Sequence, residues 1–123
     1  MLVVRRQADR LHIEETQKAV CKQFGADFVP CLPDAKIGFA NSTTGQLPIN
    51  GLRHPPTAAT SGWYIWCGES FSEAADFFEA RHTYHFYDEG HEVVRVPGLA
   101  PGWRFLLAGD YLDVWFDATL LAV

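Results

Sequence analysis

The feature that most limits how this chain can fold is the stretch at residues 61–69, SGWYIWCGE, in which large apolar side chains follow one another between two glycines. In a β-strand, successive side chains point to opposite faces of the sheet. One face would carry Trp63, Ile65 and Cys67, and the other Tyr64 and Trp66. Because both sets are apolar, the stretch predicts a central strand that is covered on both faces.

The composition is that of a folded domain. The chain has 123 residues, of which 48% are hydrophobic and 14% aromatic, which is enough for one core and unlike a disordered chain. No apolar run reaches the length of a membrane-spanning helix, and the N-terminal charge order is the reverse of a signal peptide. We therefore expect a cytoplasmic protein with a single domain over residues 1–123, in which residues 1–12 form a loosely ordered arm.

The net charge of −5 is spread unevenly. Residues 67–123 contain ten acidic and three basic residues, a balance of −7, whereas residues 1–25 contain five basic and three acidic residues. A field of negative sign repels nucleic acid and attracts a basic protein. An acidic face that only maintains solubility explains the same composition equally well.

Two amphipathic helices are predicted. The first covers residues 13–24, where apolar side chains recur at helical spacing, and Gly25 is suited to end it. The second begins at a capping-box pattern formed by Ser70 and Glu73. Its apolar stripe would consist of Phe71, Ala74, Ala75 and Phe78, continued by His82 and His85.

Residues 103–116 predict a β-hairpin with residues 109–110 as its two-residue loop. The predicted register pairs Ala108 with Tyr111, Leu106 with Asp113, and Arg104 with Trp115. This register separates an apolar face from a mixed face, and a slip of one residue would mix them. We expect Arg104 to lie over the ring of Trp115 and diagonal to Asp113, in cation–π and ion-pair geometry.

Shorter strands are predicted at residues 36–40 and 47–50, with Asn50-Gly51 as a tight turn. Together these elements indicate an α+β fold. The sequence predicts a single domain with a mostly antiparallel sheet of about five strands and two main helices packed on one side.

One histidine cluster offers possible metal ligands. His82, His85 and His91 are the candidates, because two histidines at i,i+3 can share a cation. Their spacing matches no standard ligand motif, so buried histidines that are hydrogen-bonded to the backbone explain them better. The alternative function is therefore that of a small metal-dependent enzyme or a metal-binding protein that uses these three histidines.

The three cysteines are expected to be free and mostly buried, since no CxxC pattern occurs. Cys67 has no nucleophile elbow around it, so the sequence predicts no catalytic residues.

Aromatic and arginine side chains offer a second candidate site, because Trp, Tyr and Arg dominate interface hot spots. We expect Trp63, Trp103 and Phe116 in the core. The residues expected nearer a surface are Tyr64, Trp66, Arg104, Tyr111, Asp113 and Trp115. The candidate partner-binding residues are Arg53, His54, Tyr64, Trp66, Arg104, Tyr111, Asp113 and Trp115. Arg53 and His54 either brace the loop that follows them or present it. Residues 53–60 are the favoured location for function.

Three segments follow one another along the chain: NGLRHPP with SGWYIWCGE, then DFFEARHTYH, then PGWRFLLAGDYLDVWFD. Together they resemble the immunity-protein-33 domain family of bacterial polymorphic-toxin systems, and the resemblance covers roughly residues 21–121. The matching positions are Asn50, Gly51, Arg53, His54, Gly62, Trp63, Trp66, Glu69, His82, His85, Gly102, Trp103, Arg104, Asp113, Trp115 and Asp117. No toxin-binding residues come with the resemblance.

The resemblance implies an α+β binding protein without enzymatic activity or cofactor, which neutralises a cognate protein toxin by direct contact. The acidic half of the chain adds the expectation that this toxin is basic, with a nuclease as one class. We expect no nucleic-acid or membrane partner, and either a monomer or a homodimer. A structural homodimerising module is a further alternative.

Overall fold

A six-stranded sheet forms the centre of the protein. The computed structural model describes residues 2–89 and 91–122, with side chains from Leu11 onward. The strands are β1 (Lys36–Phe39), β2 (Ile49–Arg53), β3 (Trp63–Cys67), β4 (Glu79–His82), β5 (Trp103–Ala108) and β6 (Tyr111–Phe116). Their order across the sheet is β4-β1-β3-β2-β5-β6. β1 and β3 are parallel, and every other neighbouring pair is antiparallel.

In the described part of the chain, two α-helices accompany the sheet: α1 (Leu2–Phe24) and α2 (Thr83–Glu89). Short 3-10 segments occur at Asn41–Thr43, Glu92–Arg95 and Ala118–Leu121. Val20 and Cys21 of α1 and Phe86 of α2 share one core with the buried side chains of the sheet. The predicted α+β fold with helices on one side is confirmed, although the sheet has six strands rather than five.

The apolar stretch that limits the fold is β3, an interior strand as predicted. Its inward side chains, Trp63 and Ile65, are fully buried under the helices. The indole Nε1–H of Trp63 donates to the Pro97 carbonyl at 2.9 Å, which satisfies the one polar atom of this buried ring.

The hairpin is confirmed residue by residue. β5 and β6 pair in the predicted register, from Trp103 opposite Phe116 to Ala108 opposite Tyr111. The prediction that Phe116 lies in the core is wrong, because its side chain is 50% exposed. It is the last residue of an edge strand. Among the aromatic side chains that the structure describes, its ring packs only against Trp103.

The predicted helix from Ser70 is wrong. The chain from Gly68 to Phe78 is irregular, residues 79–82 form β4, and α2 begins only at Thr83. β4 supplies the partner that the outer edge of β1 lacks. The guanidinium of Arg81 also lies 4.8 Å from the Phe86 ring centre, so β4 closes the side of the core. This pairing outweighs a capping pattern that contributes about 0.5–2 kcal/mol.

α1 begins at Leu2, rather than at Ile13 as predicted; Met1 lies outside the described residues. Glu14 and Lys18, one helical turn apart, form an ion pair at 3.3 Å. Gly25 ends the helix with a φ of 74°, as predicted. Within the described residues, no helix combines the length and the apolar character needed to span a bilayer.

The predicted tight turn at Asn50-Gly51 is also wrong, because both residues lie inside β2. The reason for a glycine here is close packing. A Cβ on Gly51 would lie 2.1 Å from the ring of Phe105, its neighbour across the β2–β5 pair.

We therefore expect Gly51→Ala to destabilise the fold by about 1–3 kcal/mol, because the buried Phe105 ring has no room to move. Gly38→Ala is the matched control. A Cβ there would meet Tyr64, but that ring is half-buried and can swing outward, so we expect a loss below about 1 kcal/mol. Urea unfolding of both variants measures the difference, and equal midpoints would contradict this explanation of Gly51.

Candidate functional site

The sheet face turned away from the helices carries most of the predicted partner-binding residues. We call it the outer face. Its members include Asn50 and Leu52 of β2, Tyr64 and Trp66 of β3, Arg104 of β5, and Tyr111, Asp113 and Trp115 of β6. His54 follows β2 and joins this face through an edge-to-face contact with Tyr64 at 5.7 Å. The structure thus brings together His54, Tyr64, Trp66, Arg104, Tyr111, Asp113 and Trp115, which the sequence suggested separately.

An open groove with a volume of about 470 Å³ lies on the outer face, and we call it the groove. Its walls come from the end of β2, the loop after it, β3 and the irregular segment at residues 68–78. The lining residues are Leu52, His54, Pro55, Thr57, Thr60, Gly62, Tyr64, Phe71 and Phe78. Several of them belong to residues 53–60, the loop that the sequence favoured.

One wall of the groove is a cluster of aromatic rings. Phe78 packs edge-on against Tyr64 at 5.3 Å, and Phe71 packs edge-on against Trp66 at 5.2 Å. Trp66 lies beneath this cluster and is only 7% exposed, so the expectation that it lies near a surface is wrong. Phe71, in contrast, is 52% exposed at the rim of the groove.

A second exposed area lies on the hairpin. The guanidinium of Arg104 is 5.7 Å from the ring centre of Trp115, as predicted. Its ion pair at 3.2 Å is with Asp117, not with Asp113. The Asp117 amide donates to the Gly102 carbonyl, which brings this residue beside the start of β5.

Asp117 is held as a carboxylate. The hydroxyl of Thr119 donates to it, the Thr119 amide donates as well, and Arg104 adds a positive charge. These hydrogen bonds, that of the Thr119 hydroxyl first, lower the pKa of the Asp117 carboxyl. Arg104 is therefore neutralised from within the chain, while Tyr111 is 60% and Trp115 37% exposed.

The loop segment beside the groove is acidic. Residues 68–78 contain three carboxylates and no Lys or Arg. These are Glu69, Glu73 and Asp76, and all three are exposed. Among the described residues, no ion pair involves them. Asp113 adds an exposed carboxylate on β6.

Arg53 does not belong to the outer face. Its side chain points to the helix side and is 2% exposed. Nε donates to the Ser61 carbonyl at 3.0 Å, and Nη1 reaches the carbonyls of Val29 and Leu99 at 2.8 Å. Burial lowers the pKa of this guanidinium, although no ordinary pH removes its proton. Arg53 thus braces three loops and is not accessible to a partner.

We expect Arg53→Lys to destabilise the protein by at least about 2 kcal/mol, because an ammonium cannot reach carbonyls in three directions and each buried carbonyl left unpaired costs about 1–3 kcal/mol. Arg95→Lys, at a half-buried position in a 3-10 segment, is the control and should unfold like the parent chain. A parent-like urea midpoint for Arg53→Lys would show that the carbonyl contacts contribute little.

The three histidines of the metal alternative lie on different elements. His82 ends β4, His85 lies in α2, and His91 caps the 3-10 segment at Glu92–Arg95 by accepting from the Val93 amide. The ring centres of His82 and His85 are 6.1 Å apart. In the described ranges, no three His, Cys, Asp or Glu side chains lie close enough together to hold a metal ion.

The cysteines are free and buried, as predicted. Burial raises the pKa of the Cys21, Cys31 and Cys67 thiols, which keeps them protonated at neutral pH. Cys67 lies on the inner side of β3, away from the groove. The structure therefore gives this thiol neither exposure nor activation.

We expect all three thiols to resist a soluble disulfide reagent in the native protein and to react together once urea unfolds the chain. Burial and a raised pKa both lower the concentration of accessible thiolate. The measurement is the absorbance of the released thiol product over time. A single thiol that reacts rapidly in native buffer would reopen the question of cysteine chemistry.

Sequence reasoning missed three groove residues: Leu52, Phe71 and Phe78. The two phenylalanines were placed on the buried stripe of a helix that does not form. Leu52 directly follows the predicted tight turn, and that turn is in fact part of a strand. Phe77-Phe78 directly before β4 was the available signal, since two adjacent aromatic residues cannot both lie on one narrow helical stripe.

A comparison with protein families matches residues 16–117 to the Imm33-like domain. The matched range covers β1 to β6, α2 and the C-terminal part of α1, so it includes every residue of the groove. Searches of curated proteins and of solved structures found no match.

Proposed function

Since this chain belongs to the Imm33-like domain family, we propose that it is an immunity factor that binds and neutralises a cognate protein toxin of a bacterial polymorphic-toxin system. The family membership over residues 16–117 is the observation that carries this proposal. An immunity factor needs an exposed recognition surface and no catalytic group, because occluding the toxin is sufficient.

The outer face supports the proposal. It combines exposed aromatic side chains, Tyr111 and Trp115, with an apolar groove and exposed carboxylates. Buried aromatic anchors supply most of the free energy at protein interfaces, and complementary charge raises the association rate. We propose that the toxin is basic, with a nuclease as one class, and that binding occurs in the cytoplasm.

The test is coexpression with a toxin encoded beside the gene for this chain. We expect restored growth and a complex that survives size exclusion, with an association rate that falls as salt increases. No rescue by the full chain, together with no complex with the purified toxin, would remove the proposal.

For the surface, we expect Trp115→Ala to weaken toxin binding at least about tenfold, the equivalent of 1.4 kcal/mol, because a half-exposed tryptophan is a typical interface anchor. Phe116→Ala is the matched control. This neighbour is also exposed but points to the other side of β6, so its removal should leave the affinity unchanged. Calorimetry measures both, and an equal loss in the two variants would contradict an interface on the outer face.

A further inference from the structure

We propose that the groove receives one large apolar side chain, which projects from a segment of the partner that carries basic residues on one flank. This inference rests on the proposed function for the identity of the partner as a toxin. The groove itself can be tested without the toxin.

The size and lining of the groove favour a single anchoring side chain. Its volume of about 470 Å³ falls in the range of about 300–1,000 Å³ that is typical of ligand-binding clefts. Rings and aliphatic carbon predominate in its walls, from Leu52 and Pro55 on one side to Tyr64 and Phe78 on the other. Such walls exclude water around an apolar group and offer little to a polar one.

Hydrogen bonds within the chain hold the wall formed by His54 and residues 55–60. His54 Nδ1–H donates to the Leu120 carbonyl at 2.9 Å, because a carbonyl can only accept. The Thr60 hydroxyl donates to the Lys36 carbonyl at 3.2 Å, which holds the loop at residues 55–60. A side chain that contacts this wall therefore orders little of it, which favours binding.

The charges around the groove are one-sided. Phe71 and Phe78 belong to the segment at residues 68–78, in which Glu69, Glu73 and Asp76 each lie two residues from one of these rings. The opposite wall, residues 55–60, contains no charged residue. Three exposed carboxylates in the segment that supplies Phe71 and Phe78 repel an acidic segment of a partner and attract a basic one.

A second, smaller depression adjoins the groove. It has a volume of about 180 Å³, shares Thr60, Tyr64 and Phe78 with the groove, and is lined by both Lys36 and Glu79. One basic and one acidic side chain there give no preference for a basic flank on that side. The carboxylates of residues 68–78 therefore set the direction, and the Lys or Arg residues of the partner should lie toward this segment.

The test begins with random peptides displayed on phage and selected on the full chain. We expect enriched peptides that share one Trp, Phe, Tyr or Leu next to Lys or Arg on one side. Synthetic copies of these peptides are then measured by calorimetry. Enrichment of peptides without a basic residue, or no enrichment at all, would overturn the proposal.

Variants locate the bound side chain. Leu52→Trp fills the groove and should weaken the selected peptides at least about tenfold. Leu32→Trp adds the same bulk at an exposed leucine on the helix side and should change nothing. Phe71→Ala removes an exposed ring without disturbing the core, so it tests the groove even if Leu52→Trp unfolds. Undiminished binding to folded Leu52→Trp or to Phe71→Ala would place the peptide elsewhere and contradict the proposal.

Charge reversal tests the acidic segment at residues 68–78. Glu73→Lys should weaken the peptides several-fold, with a loss that shrinks as salt increases. Glu15→Lys, an exposed change on α1, should not. An equal effect of the two variants would mean that overall charge, rather than the acidic segment, selects the peptide, which would contradict the proposed basic flank.

The two proposals can fail separately. If peptides are selected as expected but the chain gives no protection from the toxin, the proposal for the groove stands and the proposed immunity function is wrong. If the chain protects from the toxin but Leu52→Trp does not weaken the complex, the proposed immunity function stands and the groove is not its anchoring site.

Discussion

The buried guanidinium of Arg53 is the interaction on which the rest of the structure depends. It lies on the helix side of β2, over the ring of Trp63 at 5.7 Å, and donates to carbonyls of three separate loops. Burying a charge is expensive unless hydrogen bonds replace its hydration. No carboxylate within the described residues shares this charge, so the loops must stay where their carbonyls can accept. The position of the loop before β3 follows from this constraint.

The same strand also contributes to the outer face. His54 directly follows Arg53, and successive side chains of an extended chain point to opposite faces. One residue therefore stabilises the core while its neighbour forms a wall of the groove. Gly62 allows this arrangement, because its backbone has a φ of 92° and passes close to the His54 carbonyl. A change at Arg53 would reach the groove through this connection, which makes Arg53 a structural residue that lies beside the groove.

How far the sequence predicted the fold depends on how local each element is. The hairpin of β5 and β6 was predicted to the register, because alternation and a two-residue loop specify it within the segment itself. β3 was predicted as an interior strand because both of its faces are apolar, which is also visible within the segment itself. Residues 79–82, EARH, contain no β-branched or aromatic residue and become strand only because β1 offers an unpaired edge. The helix predicted there failed because its capping signal is weaker than this distant pairing.

The sequence by itself determined the α+β fold, the central apolar strand, the hairpin, the excess of acidic residues in the C-terminal half and the family. Each of these is encoded in short-range spacing or in composition. Only the tertiary structure decided that Arg53 is internal, that Trp66 is covered, and that Phe71 and Phe78 meet Leu52 and His54 in one groove. The physical reason is that contacts between distant segments depend on which free edge and which apolar face each segment can cover. No local pattern contains that information.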